Sequence, residues 1–112
     1  MAFDLTQAWI EHVLRSECVE LDQNKYVLTE EEVEVPKDFM RRAYREYRKN
    51  TNHARVADDK TLFKRLFEYA GIVGTKIQIN GQRFPAVVFP GLAACRATFM
   101  QNVVKDQSWD WT

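Results

Sequence analysis

The chain has 112 residues, of which 46% are hydrophobic and 12% aromatic, so its composition is typical of one globular domain rather than a disordered segment. No apolar run approaches the roughly 18 to 20 residues of a membrane span, and the N-terminus lacks the basic start of a signal peptide, so we expect a cytoplasmic protein without a membrane partner. The net charge is zero but uneven: residues 1–35 carry nine acids against two bases, and residues 36–96 carry thirteen bases against five acids. The basic segment suggests an anionic partner, unless the acidic segment folds back and neutralises it.

Catalytic and metal-binding motifs are not indicated. Cys18 and Cys95 have no metal or redox spacing and are expected to be reduced thiols. His12 is expected to be a partly buried structural side chain, and His53 lies in a polar turn without a Ser or Cys partner. The four glycines are scattered and form no phosphate-binding loop. The sequence therefore predicts a protein that is not an enzyme and that needs no cofactor.

The first helix is predicted to begin after Asp4, a good N-cap residue, and to end near Glu17. The stretch from Cys18 to Val35 is weakly patterned. A solvated loop with a short strand at Val33–Val35 is the preferred interpretation, although Tyr26–Leu28 could form another strand. The acidic run within this stretch is expected to be a solvated surface.

A second helix is predicted from Pro36 or Lys37 to about Asn50, because proline is tolerated in a first turn. At about 100° per residue, its apolar and basic side chains separate onto opposite arcs. The basic arc consists of Arg41, Arg42, Arg45, Arg48 and Lys49.

A third helix is predicted between Asp58 or Asp59, either of which can cap it, and Gly71, which suits the left-handed end of a helix. Its apolar side is expected to consist of Leu62, Phe63, Leu66, Phe67, Tyr69 and Ala70. Its outer side carries Lys60, Thr61, Lys64, Arg65 and Glu68.

A β-hairpin is predicted around Asn80-Gly81, because this dipeptide favours a type I′ turn, which needs positive φ twice. The two-residue turn sets Ile79 opposite Gln82, Gln78 opposite Arg83 and Ile77 opposite Phe84. The expected inner, apolar face consists of Ile77, Ile79, Phe84, Ala86 and Val88. The other face carries Lys76, Gln78 and Arg83, and Pro85 is expected where its strand presents an edge.

Pro90-Gly91 ends the hairpin, and residues 92–104 are predicted to form a last helix. The tail contains Trp109 and Trp111, which could stack on bases but are more simply expected to fold onto this domain or a neighbouring one. The resulting order of helix, short strand, helix, helix, hairpin and helix predicts an α+β, mostly helical winged helix with an added helix at each end. We expect one domain, with an acidic arm at 1–35, a winged-helix core at 36–90 and a C-terminal helix and tail at 91–112.

Three groups of side chains are candidates for DNA binding: the outer side of the third helix, one face of the hairpin, and the basic arc of the second helix. Each alone is compatible with an ordinary solvated surface, whereas all three together in one fold order favour nucleic acid. The candidate residues are Lys60, Thr61, Lys64, Arg65, Lys76, Gln78, Arg83, Arg41, Arg45 and Arg48.

Residues 35–90 resemble the C-terminal winged-helix domain of phage and plasmid primase–helicases, which are superfamily 3 helicases of the satellite-phage and poxvirus type. The resemblance rests on a helix centred on Ala43-Tyr44 and Tyr47, on a helix bearing Phe63 and Leu66 before Gly71, and on the basic strand and turn that follow.

The resemblance implies a DNA-binding appendage of a replication motor, recruited to an origin or to single-stranded/duplex junctions. The partner would then be DNA, as duplex or junction, together with a helicase or primase domain, and the isolated domain is expected to be a monomer. Two alternatives stay open: a protein–protein docking module in a replication complex that uses the acidic arm and the tryptophan tail, and a small winged-helix transcription regulator.

Overall fold

A computed structural model describes residues 3–51, 56–106 and 108–111 of the chain. Within these ranges the fold is α+β and about half helical, with four helices and two small antiparallel sheets. The helices are α1 (Leu5–Ser16), α2 (Lys37–Lys49), α3 (Asp59–Ala70) and α4 (Leu92–Phe99), which continues as a π-helix over Met100–Val104. The strands are β1 (Cys18–Leu21), β2 (Asn24–Val27), β3 (Val33–Pro36), β4 (Val73–Ile79) and β5 (Gln82–Phe89). None of the described helices is long and apolar enough to cross a membrane.

The predicted helix ends are confirmed by their capping contacts. The Asp4 carboxylate accepts a hydrogen bond from the Gln7 backbone N–H at 2.8 Å, and the Gln7 side chain accepts one from the Asp4 N–H at 3.2 Å. Asp58 caps α3 by accepting from the Thr61 N–H at 2.8 Å. Gly71 ends α3 with a φ of +70°, a conformation that glycine adopts without strain.

The preferred prediction of a loop between α1 and β3 is wrong, because β1 and β2 form a hairpin there. The alternative strand at Tyr26–Leu28 overlaps β2. Val19 and Leu21 of β1 are buried, whereas Glu20 between them is exposed. The strands are only four residues long and their turn, Asp22-Gln23, lacks the Asn-Gly signature. Such a short hairpin is only marginally stable by itself, and its packing against α2 stabilises it. This tertiary contact leaves no local signal in the sequence.

The second sheet has the strand order β3-β5-β4. The predicted register of its hairpin is confirmed, and Asn80 and Gly81 have the expected positive φ values of 51° and 81°. β3 pairs with β5 only over Ala86–Phe89. At Pro85 the strand therefore has β4 as its only neighbour in the described sheet, which agrees with the predicted edge.

One hydrophobic core joins all four helices and the base of the larger sheet. Ile10 and Leu14 of α1 are buried in it together with Leu62 and Leu66 of α3. The N-terminal helix is thus part of the same core as the segment that follows it.

The acidic run Glu30–Glu32 is exposed, as predicted, and Glu30 is in addition hydrogen-bonded to the start of α4. Its side chain accepts a hydrogen bond from the Ala93 N–H at 3.2 Å, and the neighbouring Thr29 carbonyl accepts one from the Leu92 N–H at 2.8 Å. A Cβ at Gly91 would lie 2.5 Å from the Glu30 carbonyl oxygen, so this close approach requires glycine.

The C-terminal tail folds back onto its own domain, which is one of the two arrangements predicted for it. The Trp111 ring centroid lies 5.7 Å from that of Phe99, and its indole N–H donates to the Met100 sulfur at 3.4 Å. The Arg15 guanidinium lies 5.3 Å from the Trp109 ring centroid and 5.6 Å from that of Trp111.

Candidate nucleic-acid interface

The outer surface of α3 carries a stripe of alternating cations and aromatic rings. The stripe consists of Lys60, Phe63, Lys64 and Phe67, which stand at the i, i+3, i+4 and i+7 positions of one helix face. Both lysines are exposed, and Lys64 lies 3.9 Å from Glu68 one turn further on. The prediction that Phe67 faces the core is wrong, because its side chain is 58% exposed. The neighbouring elements bury Leu62, Leu66 and Ala70 and partly cover Phe63 and Tyr69.

Lys37 joins this stripe to the hairpin. Its ammonium nitrogen lies 4.9 Å from the centroid of the Phe63 ring and 3.5 Å from the point where a side chain at Gly74 would begin. The sequence identifies Lys37 only as the start of a helix. Its position follows from the pairing of β3 with β5, because the chain passes directly from β3 into α2 and so places the first residue of α2 beside the sheet.

The hairpin extends the basic surface. Gly74, Lys76 and Gln78 alternate along one face of β4, and Arg83 stands opposite Gln78 on the same face. Lys76, Gln78 and Arg83 are all exposed. Five cations therefore follow one path from α3 across the first turn of α2 to the hairpin, and this set is called the lysine path: Lys60, Lys64, Lys37, Lys76 and Arg83.

The expected burial of the hairpin faces is corrected by the structure. Of the predicted inner face, Ala86 is buried and Ile77 and Val88 are half-buried, as expected, but Ile79 and Phe84 are 47% and 40% exposed. Val87, which shares the face of Lys76 and Arg83, is only 1% exposed. The core covers the hairpin at its base, where β3 adds a third strand, and the outer part of the hairpin lies outside this core.

The arginines of α2 and α3 are placed differently from the lysine path. The Asp59 carboxylate lies 2.8 Å from Arg41 Nε and 3.6 Å from an Arg45 terminal nitrogen. Arg65 points towards α1, with its guanidinium 4.0 Å from Asp4. Arg48 is exposed but lies about 16 Å along α2 from Lys37, at 1.5 Å per residue.

Thr61 is half-buried in the first turn of α3, where its backbone N–H completes the cap. Of the ten candidate residues, the structure brings Lys60, Lys64, Lys76, Gln78 and Arg83 onto one surface. It holds Arg41 and Arg45 in ion pairs beside that surface, and it places Arg48 and Arg65 elsewhere.

The described residues contain no group of three or more metal-ligating side chains. The prediction of a partly buried His12 is wrong, because its side chain is exposed. Its ring stacks on that of Tyr47, with the ring centroids 5.4 Å apart. His53 lies outside the described residues. Burial raises the pKa of Tyr47, and the Glu11 carboxylate adds to this shift. Neither residue belongs to the lysine path, so the chemistry of this surface is that of fixed positive charge.

Comparison of the chain with protein-family models, with curated proteins and with solved structures gives no match. The winged-helix interpretation, the primase–helicase resemblance and DNA binding therefore stay predictions.

Proposed function

We propose that this chain is a non-catalytic DNA-binding domain of the winged-helix type that binds the sugar–phosphate backbone of duplex DNA. The order α1, β3, α2, α3, β4, β5 and the sheet order β3-β5-β4 support the fold assignment, since a winged helix places a strand, two helices and a hairpin in this sequence and pairs the first strand with the last. The hairpin of β1 and β2 is then an insertion between the first helix and the first strand.

The observation that carries the proposal is the lysine path from α3 to the hairpin. In helix-turn-helix proteins the second helix of the motif enters the major groove, which is about 12 Å wide and admits one helix. Lys60 and Lys64 would then face the groove walls, while Lys76 and Arg83 on the hairpin would reach a neighbouring stretch of phosphates. Lys37 fills the space between these two contact regions.

The side chains of this path favour backbone contacts over the reading of bases. Four of the five cations are lysines, which bind phosphate as point charges, and only Arg83 and Gln78 have side chains suited to paired hydrogen bonds with a base. Phosphate contacts position a protein on DNA without specifying a sequence. Binding should therefore vary little with sequence and weaken steeply as salt displaces the protein.

The test is fluorescence anisotropy with a labelled duplex at 50 and 200 mM salt. Neutralising about four phosphates predicts a loss of affinity of roughly two orders of magnitude between these concentrations. The double variant Lys60→Glu/Lys64→Glu should abolish measurable binding at the higher concentration. Lys25→Glu, at an exposed lysine on the separate β1–β2 sheet, is the matched control and should bind almost as well as the wild type, apart from a small loss due to net charge. Wild-type protein that does not bind at 50 mM salt would overturn the proposal.

The further assignment to a phage or plasmid replication protein rests on the resemblance of residues 35–90 alone. It would be supported by an ATPase domain encoded in the same reading frame or beside it. The docking alternative uses the acidic arm and the tryptophan tail. Trp109 and Trp111 are half-buried against residues of their own domain, and Glu30 of the arm is hydrogen-bonded to the start of α4. This packing leaves the lysine path as the surface that best supports a function.

A further inference from the structure

The outer end of the β4–β5 hairpin has two faces of opposite character. Lys76, Gln78 and Arg83 lie on one face, while Ile79 and Phe84 lie exposed on the other. Burial of each of these two side chains would contribute about 1.5 to 3 kcal/mol of stabilising free energy. Their exposure near the turn forgoes this stabilisation. The two-residue turn fixes the register of the two strands, so their side chains cannot exchange between the two faces.

The apolar side chains do not stand alone. Together with Pro85 they line a notch of about 230 Å³ with residues from the start of α2, namely Pro36, Lys37, Asp38 and Arg41. Phe84 and Ile79 are diagonal neighbours across the two strands, close enough to present one apolar surface. A ligand that fits this end of the hairpin therefore offers a flat or apolar part to Phe84 and Ile79, and an anionic part to Lys76 and Arg83 on the other face.

We propose that the hairpin end binds the terminal base pair of a DNA duplex, at a duplex end or at a single-stranded/duplex junction, with Phe84 and Ile79 against the exposed base face. Lys76 and Arg83 on the opposite face then contact the phosphates of one strand as it passes the hairpin. This inference rests on the proposed DNA binding and names its preferred ligand, which the sequence left open between continuous duplex and junction.

Two physical arguments favour a terminal base pair over the interior of a duplex. Inside a duplex both faces of each base pair are stacked, so an apolar wedge must first pay for unstacking a base step. At an end or junction one base face is already exposed to water. Stacking of aromatic side chains on bases is also tolerant of sequence, which agrees with a surface that otherwise contacts phosphates.

The first experiment is a competition assay with full-length protein on a labelled forked duplex. Unlabelled forked duplex and relaxed, covalently closed circular duplex, which has no ends, are compared at equal concentrations of base pairs. The forked duplex should compete about tenfold better, in line with the stacking of one base on an aromatic ring. The variant Phe84→Ala/Ile79→Ala should lose this preference and bind both competitors as the wild type binds the circle.

Controls separate stacking from a general loss of structure. Val73→Ala removes another exposed side chain on the same sheet face, at the base of the hairpin, and should keep the tenfold preference. Phe84→Trp should keep it as well, because the indole ring also stacks. Circular dichroism and thermal unfolding of each variant report whether the fold is retained.

A second readout follows the base itself. With 2-aminopurine in the terminal pair of the fork, binding of the wild type should change its fluorescence, and binding of Phe84→Ala/Ile79→Ala should not. Equal competition by fork and circle, or an unchanged fork preference in the double alanine variant, would overturn the end-binding inference while leaving the proposed function standing. Failure of both competitors to displace the label, or of the wild type to bind the fork at all, would overturn both.

Discussion

Asp59 and Arg41 form the closest ion pair between α2 and α3 among the described residues, with Asp59 Oδ2 at 2.8 Å from Arg41 Nε. The same carboxylate lies 3.6 Å from Arg45, so one acidic side chain at the start of α3 holds two arginines of the basic arc. Arg41 also lies over Phe63, with its guanidinium carbon 5.5 Å from the ring centroid. Asp59 therefore partly neutralises two arginines that lie beside the lysine path.

Replacing this carboxylate should strengthen DNA binding. In Asp59→Asn, a negative charge leaves the proposed interface and Arg41 and Arg45 become available to phosphates, so the affinity for a duplex at low salt should rise by about two- to tenfold. The free energy of unfolding should change by less than about 1 kcal/mol, because partly exposed ion pairs contribute little. Anisotropy titration and urea unfolding measure the two effects. Glu20→Gln on the separate sheet is the control, and an equal gain in both variants would point to net charge alone.

Tyr44 should be a strong determinant of stability. Its buried hydroxyl lies 3.0 Å from Thr6 Oγ1 and accepts a hydrogen bond from the Ala57 N–H at 3.1 Å, which joins α2 to α1 and to the segment before α3. Tyr44→Phe leaves both partners without this oxygen and should cost about 1 to 3 kcal/mol of unfolding free energy in urea.

The matched control is Tyr69→Phe, at a half-buried tyrosine whose hydroxyl has no hydrogen-bond partner among the described residues. This variant should unfold within about 0.5 kcal/mol of the wild type, as most changes outside hydrogen-bond networks do. Combining Tyr44→Phe with Thr6→Val should cost less than the sum of the two single changes, since the two groups are partners. Strict additivity would contradict the role assigned to their hydrogen bond.

The two free thiols should differ in reactivity. Burial, reinforced by the Glu30 carboxylate, raises the pKa of Cys95 to about 11, whereas Cys18 is half-buried at the rim of a cavity next to Trp9 and His12. Since the thiolate is the reactive form, only about one thousandth of Cys95 is reactive at pH 8, and this fraction grows as the pH rises towards the pKa.

Ellman's reagent should accordingly label one thiol per native chain at pH 8 and two in denaturant. Cys18→Ser should remove the native reaction, and Cys95→Ala should leave it unchanged. Rapid native labelling of Cys95 in the Cys18→Ser variant would show that the core around α4 opens more readily than its packing indicates.

The tryptophan tail should stabilise the domain rather than serve as a ligand-binding arm. Trp111 packs on Phe99 and lies under the guanidinium of Arg96 at 5.3 Å. Trp111→Ala should lower the unfolding free energy by about 1 to 3 kcal/mol, less than for a fully buried tryptophan, whereas Trp111→Phe should retain most of it. Thermal unfolding measures the loss, and DNA affinity at a temperature where both variants are folded should not change. Reduced DNA affinity in folded Trp111→Ala would place the tail in the interface.

The parts of the fold that depend on neighbouring residues were predictable from the sequence. The caps at Asp4, Asp58 and Gly71 satisfy backbone groups within one turn, and Asn80-Gly81 sets the hairpin register through its own φ angles. These contacts are local, so a few residue types are enough to specify them. The β1–β2 hairpin has no such signal and forms where α2 provides a surface for it.

The choice of faces was decided by the tertiary structure. Alternation along β4 and β5 identifies two faces, but how far each face is buried depends on where β3 and the core end along the hairpin, which is set by contacts between segments about fifty residues apart. The same holds for the basic residues: periodicity placed five cations on the arc of α2, and only the approach of α3 shows that Asp59 holds Arg41 and Arg45. Lys37 became part of the candidate interface for the same reason, because its neighbours Phe63 and Gly74 come from elements that meet only in the folded chain.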